Sequence, residues 1–185
     1  MEVLIVIGVL VLLVVAGLGI YNGLVSGRIG VQEGWSAIDV QLQRRSSLIP
    51  NLVETVKGYA GHEQETLQNV TNARSMLQSA GTPGQAAAAD NMLTSSLRSL
   101  FAVAENYPDL KANQNFLDLQ RQLADTEDKI SYARNYYNAQ VKTFNLQVQS
   151  VPSVFVANMF GFKAAEFFDA PEGATQDVQV SFSKT

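Results

Sequence analysis

Apolar positions change rhythm several times along the chain. Val3 to Ile20 is an unbroken run of Val, Leu, Ile, Gly and Ala. That matches the ~18 or more apolar residues that mark a membrane-spanning helix. From Val31 the large apolar residues come in steps of four and three: Val31, Trp35, Ile38, Leu42, Ile49, Leu52, Val56 and Tyr59, with Arg45 filling the one gap. This is the stripe of a long helix packed against other helices. A second such stripe runs through Phe116, Leu123, Ile130, Tyr137, Val141, Phe144, Val148 and Val151, with Glu127 and Arg134 in its register.

Breakers divide what lies between. Pro50 falls inside the first stripe and predicts a kink rather than an end, because the stripe continues on both sides. Gly58 and Gly61 predict a reversal, with a second helix from about His62 to Ser79; one uninterrupted helix to Ser79 is the alternative. Ala80-Gly81-Thr82-Pro83-Gly84 reads as a loop. A third helix follows from about Gln85 to Asn106, with Met92, Leu93, Leu97, Leu100 and Phe101 inward. Pro108 suits the first turn of a fourth helix reaching Ser150. The expected fold is all-α: a transmembrane helix over residues 1–20, then an antiparallel four-helix bundle over residues 21–151 with long first and last helices.

A second pattern crosses the end of the apolar run. Gly19, Gly23, Gly27, Gly30, Gly34 and Ala37 form one small-residue stripe, rotated by ~100° from the Val31/Trp35/Ile38 stripe. Each interior glycine costs a helix ~1 kcal/mol relative to alanine. Close approach by another helix compensates for this, so the stripe predicts helix packing and self-association. A flexible juxtamembrane hinge is the other reading.

The stretch DVQLQRRSSLIPNLVETVKGYAGHE, residues 39–63, resembles the signature of the LemA family almost residue for residue. YYNAQV and GFKAAEFF resemble that family's C-terminal half. The likeness covers about Tyr21 to Phe182 and implies a membrane-anchored helical bundle without implying a reaction. Tyr-Asn at Asn22 and again at Asn138 is an echo of an internal repeat.

Composition narrows the function. Lys and Arg number 13 against 17 Asp and Glu, a net charge of −4, which leaves no electrostatic footprint for nucleic acid. The absence of cysteine excludes disulfides and thiolate chemistry, and the single histidine excludes multi-histidine sites. His62 with Glu63 and Glu65 is too few ligands for a metal and reads as a helix start. Asn69-Val70-Thr71 matches a glycosylation sequon but lies on a predicted helix. No nucleophile elbow, phosphate loop or acid pair occurs. No cofactor and no enzymatic activity are therefore expected.

Arg45 is the informative charge. An antiparallel pairing of helices one and four sets it opposite residues 125 to 127, which predicts an Arg45–Glu127 pair that fixes register. The other reading is that Arg45 snorkels to solvent. The same pairing brings Val151 level with residues 18 to 20. Residues 152–170 would then emerge at the membrane surface, with Phe155, Phe160, Phe162, Lys163 and Phe167 at the interface and Met159 and Phe168 among the rings. Capping of the bundle's open end by those rings is the alternative. Residues 171–185 read as a polar tail ending in a strand, Val178 to Phe182, free or paired with another chain.

Arg28, Arg44, Arg45 and Lys57 follow the span and no basic residue precedes it. A single-pass protein of the bacterial cytoplasmic membrane is expected, N-terminus outside and bundle cytoplasmic. The expected partners are the bilayer and other copies of the chain, in a scaffolding or interaction role. The resemblance adds a second role, because LemA-like genes often accompany that of a heat-shock zinc metalloprotease: an accessory factor of a membrane-embedded protease.

Overall fold

The computed structural model describes residues 1–168. They form six helices: α1 (Glu2–Lys57), α2 (Gln64–Ser79), α3 (Pro83–Ala104), α4 (Pro108–Lys111), α5 (Gln114–Gln149) and α6 (Ser153–Met159). There is no strand among the described residues, and the expected strand at Val178 to Phe182 lies outside them.

The apolar run and the first stripe belong to one helix. α1 has 56 residues, about 84 Å at the usual rise. It continues through Pro50, whose missing N–H frees the Ser46 carbonyl, and that carbonyl accepts instead from the Arg74 guanidinium on α2 at 3.0 Å. The helix ends at Lys57. The Ala60 amide turns back to the Val56 carbonyl at 2.8 Å, and α2 starts at Gln64. Ala60 plugs this turn, 1% exposed, whereas Tyr59 is 44% exposed. The stripe thus ends inward at Val56, and Tyr59 instead accepts a hydrogen bond from the Asn113 amide at 3.0 Å.

Helix α3 starts two residues before its expected position. Thr82 accepts from the Gln85 amide and Pro83 occupies the first turn, where its missing N–H costs nothing. Its buried face is Ala86, Asp90, Leu93, Leu97 and Leu100. Met92 lies beside that face and is exposed, a correction to its expected inward place.

The expected fourth helix is two. α4 is a single turn, and Asn113 then accepts from the Phe116 amide at 3.1 Å. A side-chain acceptor at that point stops one helix and caps the next. From Phe116 to Val148 the apolar members of the second stripe are buried as spaced. Glu127 is exposed, with Thr126 buried in the inward place expected for it, and Val151 lies beyond α5 and is exposed.

Helix α5 packs antiparallel along α1, α2 packs on α3, and α1 also touches α2. The main core runs from Ile38 on α1 to Val141 on α5 and includes Phe168. A smaller cluster of Leu24, Phe144, Val148, Ala157 and Phe162 closes the end near the apolar run. Val3 to Val15, other than Gly8, are large apolar residues, all exposed. α1 is long and apolar enough there to cross a membrane.

Candidate functional site

Small residues on α1 divide at the point where α5 meets it. A Cβ at Gly34 would lie 3.1 Å from the Tyr137 Cα, so here backbone approaches backbone. At Gly30 the neighbour is the Gln140 side chain, and at Gly27 the Gln147 and Phe144 side chains. Gly19 and Gly23 have nothing within 4 Å. The chain itself therefore covers the upper part of the stripe and leaves its membrane-proximal part open.

The aromatic segment also divides. After α6 the chain turns at Gly161, whose φ of 70° lies in the left-handed region that glycine tolerates. It then runs as an extended strap, residues 162–168, back along α5. Two asparagines one heptad apart hold this strap by its backbone. Asn145 donates to the Ala165 carbonyl at 2.9 Å and accepts from its amide at 2.7 Å. Asn138 does the same to Phe168, at 2.7 and 3.0 Å. Each side-chain amide replaces a strand partner for otherwise unpaired backbone groups. The Tyr137 phenol donates to the Glu166 carbonyl at 2.7 Å, and burial pushes that phenol up to about 12. The Glu166 carboxylate lies against Gly84 in the first turn of α3.

Strap and α6 therefore face different surroundings. Phe162 packs on Tyr21 and Phe144, with the Arg28 guanidinium 4.1 Å above its ring, and Phe168 packs on Trp35. Both rings are buried. Phe162 is therefore buried and not at the membrane surface where its place in the aromatic run put it, because the turn at Gly161 sets it against Leu24 and Phe144. Phe155, Met159 and Phe160 remain more than half exposed, Phe167 is 39% exposed, and Lys163 is exposed.

Arg45 is 3% exposed and makes three contacts. It reaches Asp90 and Glu127 at 2.6 Å each and donates to the Thr94 hydroxyl at 2.9 Å. Arg44 beside it lies 3.5 Å from Asp125. Asp90 is the buried partner, whereas the Glu127 side chain is 47% exposed. Burial pushes the Asp90 carboxyl up, Arg45 pulls it back, and the Glu127 charge adds a further push upward. The cluster joins α1, α3 and α5. Asp90 had a sequence signal of its own: Ala86, Asp90, Leu93, Leu97 and Leu100 step by four and three, so it fills an inward place as Arg45 does. The asparagine pair gave none, since polar residues outside the apolar stripe look solvated.

Among the described residues no group of three or more His, Cys, Asp or Glu could hold a metal. His62 lies exposed in the α1–α2 turn, and Glu63 accepts from the Tyr107 phenol at 3.2 Å. A groove between α1 and α2, lined by Trp35, Asp39, Leu42, Arg74 and Leu77, is open. It assembles no acid, base and nucleophile in hydrogen-bond reach.

A model described as the LemA family matches residues 34–182. The chain belongs to the LemA family. Among LemA-type relatives, Magnetosome protein MamQ 2 of Paramagnetospirillum magneticum is 28% identical over 182 residues, covering 84% of this chain and 67% of that protein. Magnetosome protein MamQ of Magnetospirillum gryphiswaldense is 26% identical with the same coverage. Protein LemA of Metamycoplasma hominis is 27% identical over 161 residues, covering 86% of this chain and 74% of that protein. None of these names is that of an enzyme. The family and the apolar first half of α1 together make this a membrane-associated LemA-type protein.

Proposed function

We propose that this is a non-enzymatic, single-pass membrane scaffold that self-associates through the membrane-proximal part of α1. The span holds up a four-helix bundle of α1, α2, α3 and α5, and the bundle faces the cytoplasm. One observation carries the reading. Along a single glycine stripe, Gly27, Gly30 and Gly34 are covered by α5, while Gly19 and Gly23 have nothing against them. Interior glycines that cost helix stability and touch nothing in their own chain fit a second α1 at close range. Arg28, Lys142 and Lys163 near the end of the span support the cytoplasmic side.

Gly23→Leu in the full chain, extracted in mild detergent, is expected to shrink the particle without lowering its melting temperature. A particle of unchanged size overturns self-association through this face. A stoichiometric membrane protease in preparations from native membranes would favour the accessory role over the scaffold. Labelling of a single cysteine at Ser79 from outside intact cells would overturn the cytoplasmic assignment.

A further inference from the structure

We infer that α6 is a second membrane contact: its exposed apolar face rests on the surface of the bilayer that α1 crosses, with anionic lipid as the partner. The inference is independent of self-association.

The level of α6 follows from the anchor. Val3 to Ile20 covers about 27 Å, close to the thickness of the hydrocarbon core. Tyr21 then sits at the headgroup boundary, where tyrosine is enriched. Its ring centroid lies 4.8 Å from that of Phe160 and 5.8 Å from that of Phe162. The start of the strap and the end of α6 are therefore at the same height as the boundary.

The face presented there is apolar. Phe155 and Met159 lie four residues apart on α6 and are 67% and 75% exposed, with Phe160 just after the helix at 57% and Val151 in the turn before it at 76%. The opposite side of α6 is held to the body by buried Ala157 and half-buried Val156. Four large apolar side chains facing water, on or flanking one seven-residue helix, call for a partner.

Charge identifies that partner. Residues 3–32 and 140–163, the two chain segments that meet at this end, contain Arg28, Lys142 and Lys163 and no acidic residue. The chain as a whole carries more acid than base. Arg28 is held at this end by its contact with the Phe162 ring, and Lys163 follows immediately. Apolar rings at the boundary with cations beside them suit an interfacial segment on anionic lipid. The seven residues of α6 are too few to span, so the contact lies along the surface.

The chain has no cysteine, so Met159→Cys in the full protein can carry a single environment-sensitive fluorophore. With one copy per nanodisc of phosphatidylcholine and phosphatidylglycerol, the label is expected to shift to the blue. Nitroxide lipids should quench it several-fold more strongly than a label on His62→Cys at the far end. Adding Phe155→Ser and Val151→Ser should abolish the excess quenching without lowering the melting temperature, because both side chains are exposed. Zwitterionic discs should weaken it. A label at 159 as polar and unquenched as the one at 62 overturns the inference. Protection that appears only with two copies per disc does so too, by assigning the face to a second chain. Equal quenching in zwitterionic discs removes anionic lipid as the partner.

Discussion

The two halves of α1 share one unbroken helix and differ in what surrounds them. Below Ile20 the apolar residues go all the way round and none is buried by the chain. Above it they narrow to a stripe, and Leu24, Ile38, Leu42, Ile49, Leu52 and Val56 are buried on its neighbours. Within the helix, then, the width of the apolar face tells which solvent was intended: lipid for the full circumference, protein for the stripe. The glycines repeat the lesson at finer scale. Gly34 and Gly23 look alike in sequence, yet one is pressed against a neighbouring backbone and the other is open.

The largest effect should come from the polar place in the packed half. Arg45→Leu leaves Asp90 buried and without the cation bonded to it, with Arg134 acting only at longer range, and loss of such a partner typically costs about 3–5 kcal/mol. Glu127→Gln removes a carboxylate whose side chain is half in water, and less than about 1 kcal/mol is expected. Denaturant melts of the full chain in detergent decide between them. Equal losses would make Glu127, not Asp90, the dominant partner.

Next comes the comparison of glycines. Gly34→Leu drives a side chain into the Tyr137 backbone and should destabilise by about 1–3 kcal/mol. Gly23→Ala meets nothing within its own chain and should raise the helix stability of the separated monomer by up to ~1 kcal/mol. A neutral Gly34→Leu would mean that α1 and α5 are not in close contact there.

The strap follows with a similar range. Asn138→Ala leaves the Phe168 amide and carbonyl without partners, and about 1–3 kcal/mol is expected. Faster amide exchange at Phe168, with exchange in α5 unchanged, is the specific sign. The pH effect is smallest. With its carboxyl raised above 3.8, Asp90 binds a proton more tightly in the folded state than in the unfolded chain. Its contribution to stability therefore falls as pH rises from 3.8 through the folded value, and is flat beyond. Asp90→Asn should flatten that slope in pH-dependent melting curves.

How much of this was legible depended on periodicity. The long helices, the inward place of Arg45 and the antiparallel register all follow from four-three spacing. Gly161 and the asparagines were opaque, because the strap is extended and its partners are side-chain amides rather than apolar residues. That is why Phe162 and Phe160, two residues apart and chemically identical, could not be separated as inner and outer. The Asn113 break was opaque for a related reason: a cap is a single hydrogen bond, and no glycine or proline marks the chain between Leu110 and Phe116.

Disulfide formation between copies tests the division of α1 most directly. Single cysteines at Gly19, Gly23, Gly27, Gly30 and Gly34, introduced one at a time into the full chain in native membranes, are oxidised and resolved by size. Covalent dimers are expected from positions 19 and 23 and none from 30 and 34, where α5 occupies the face. Dimers from 34 as abundant as those from 23, or none from 19 and 23, would contradict an α1 whose lower face is reserved for a second copy.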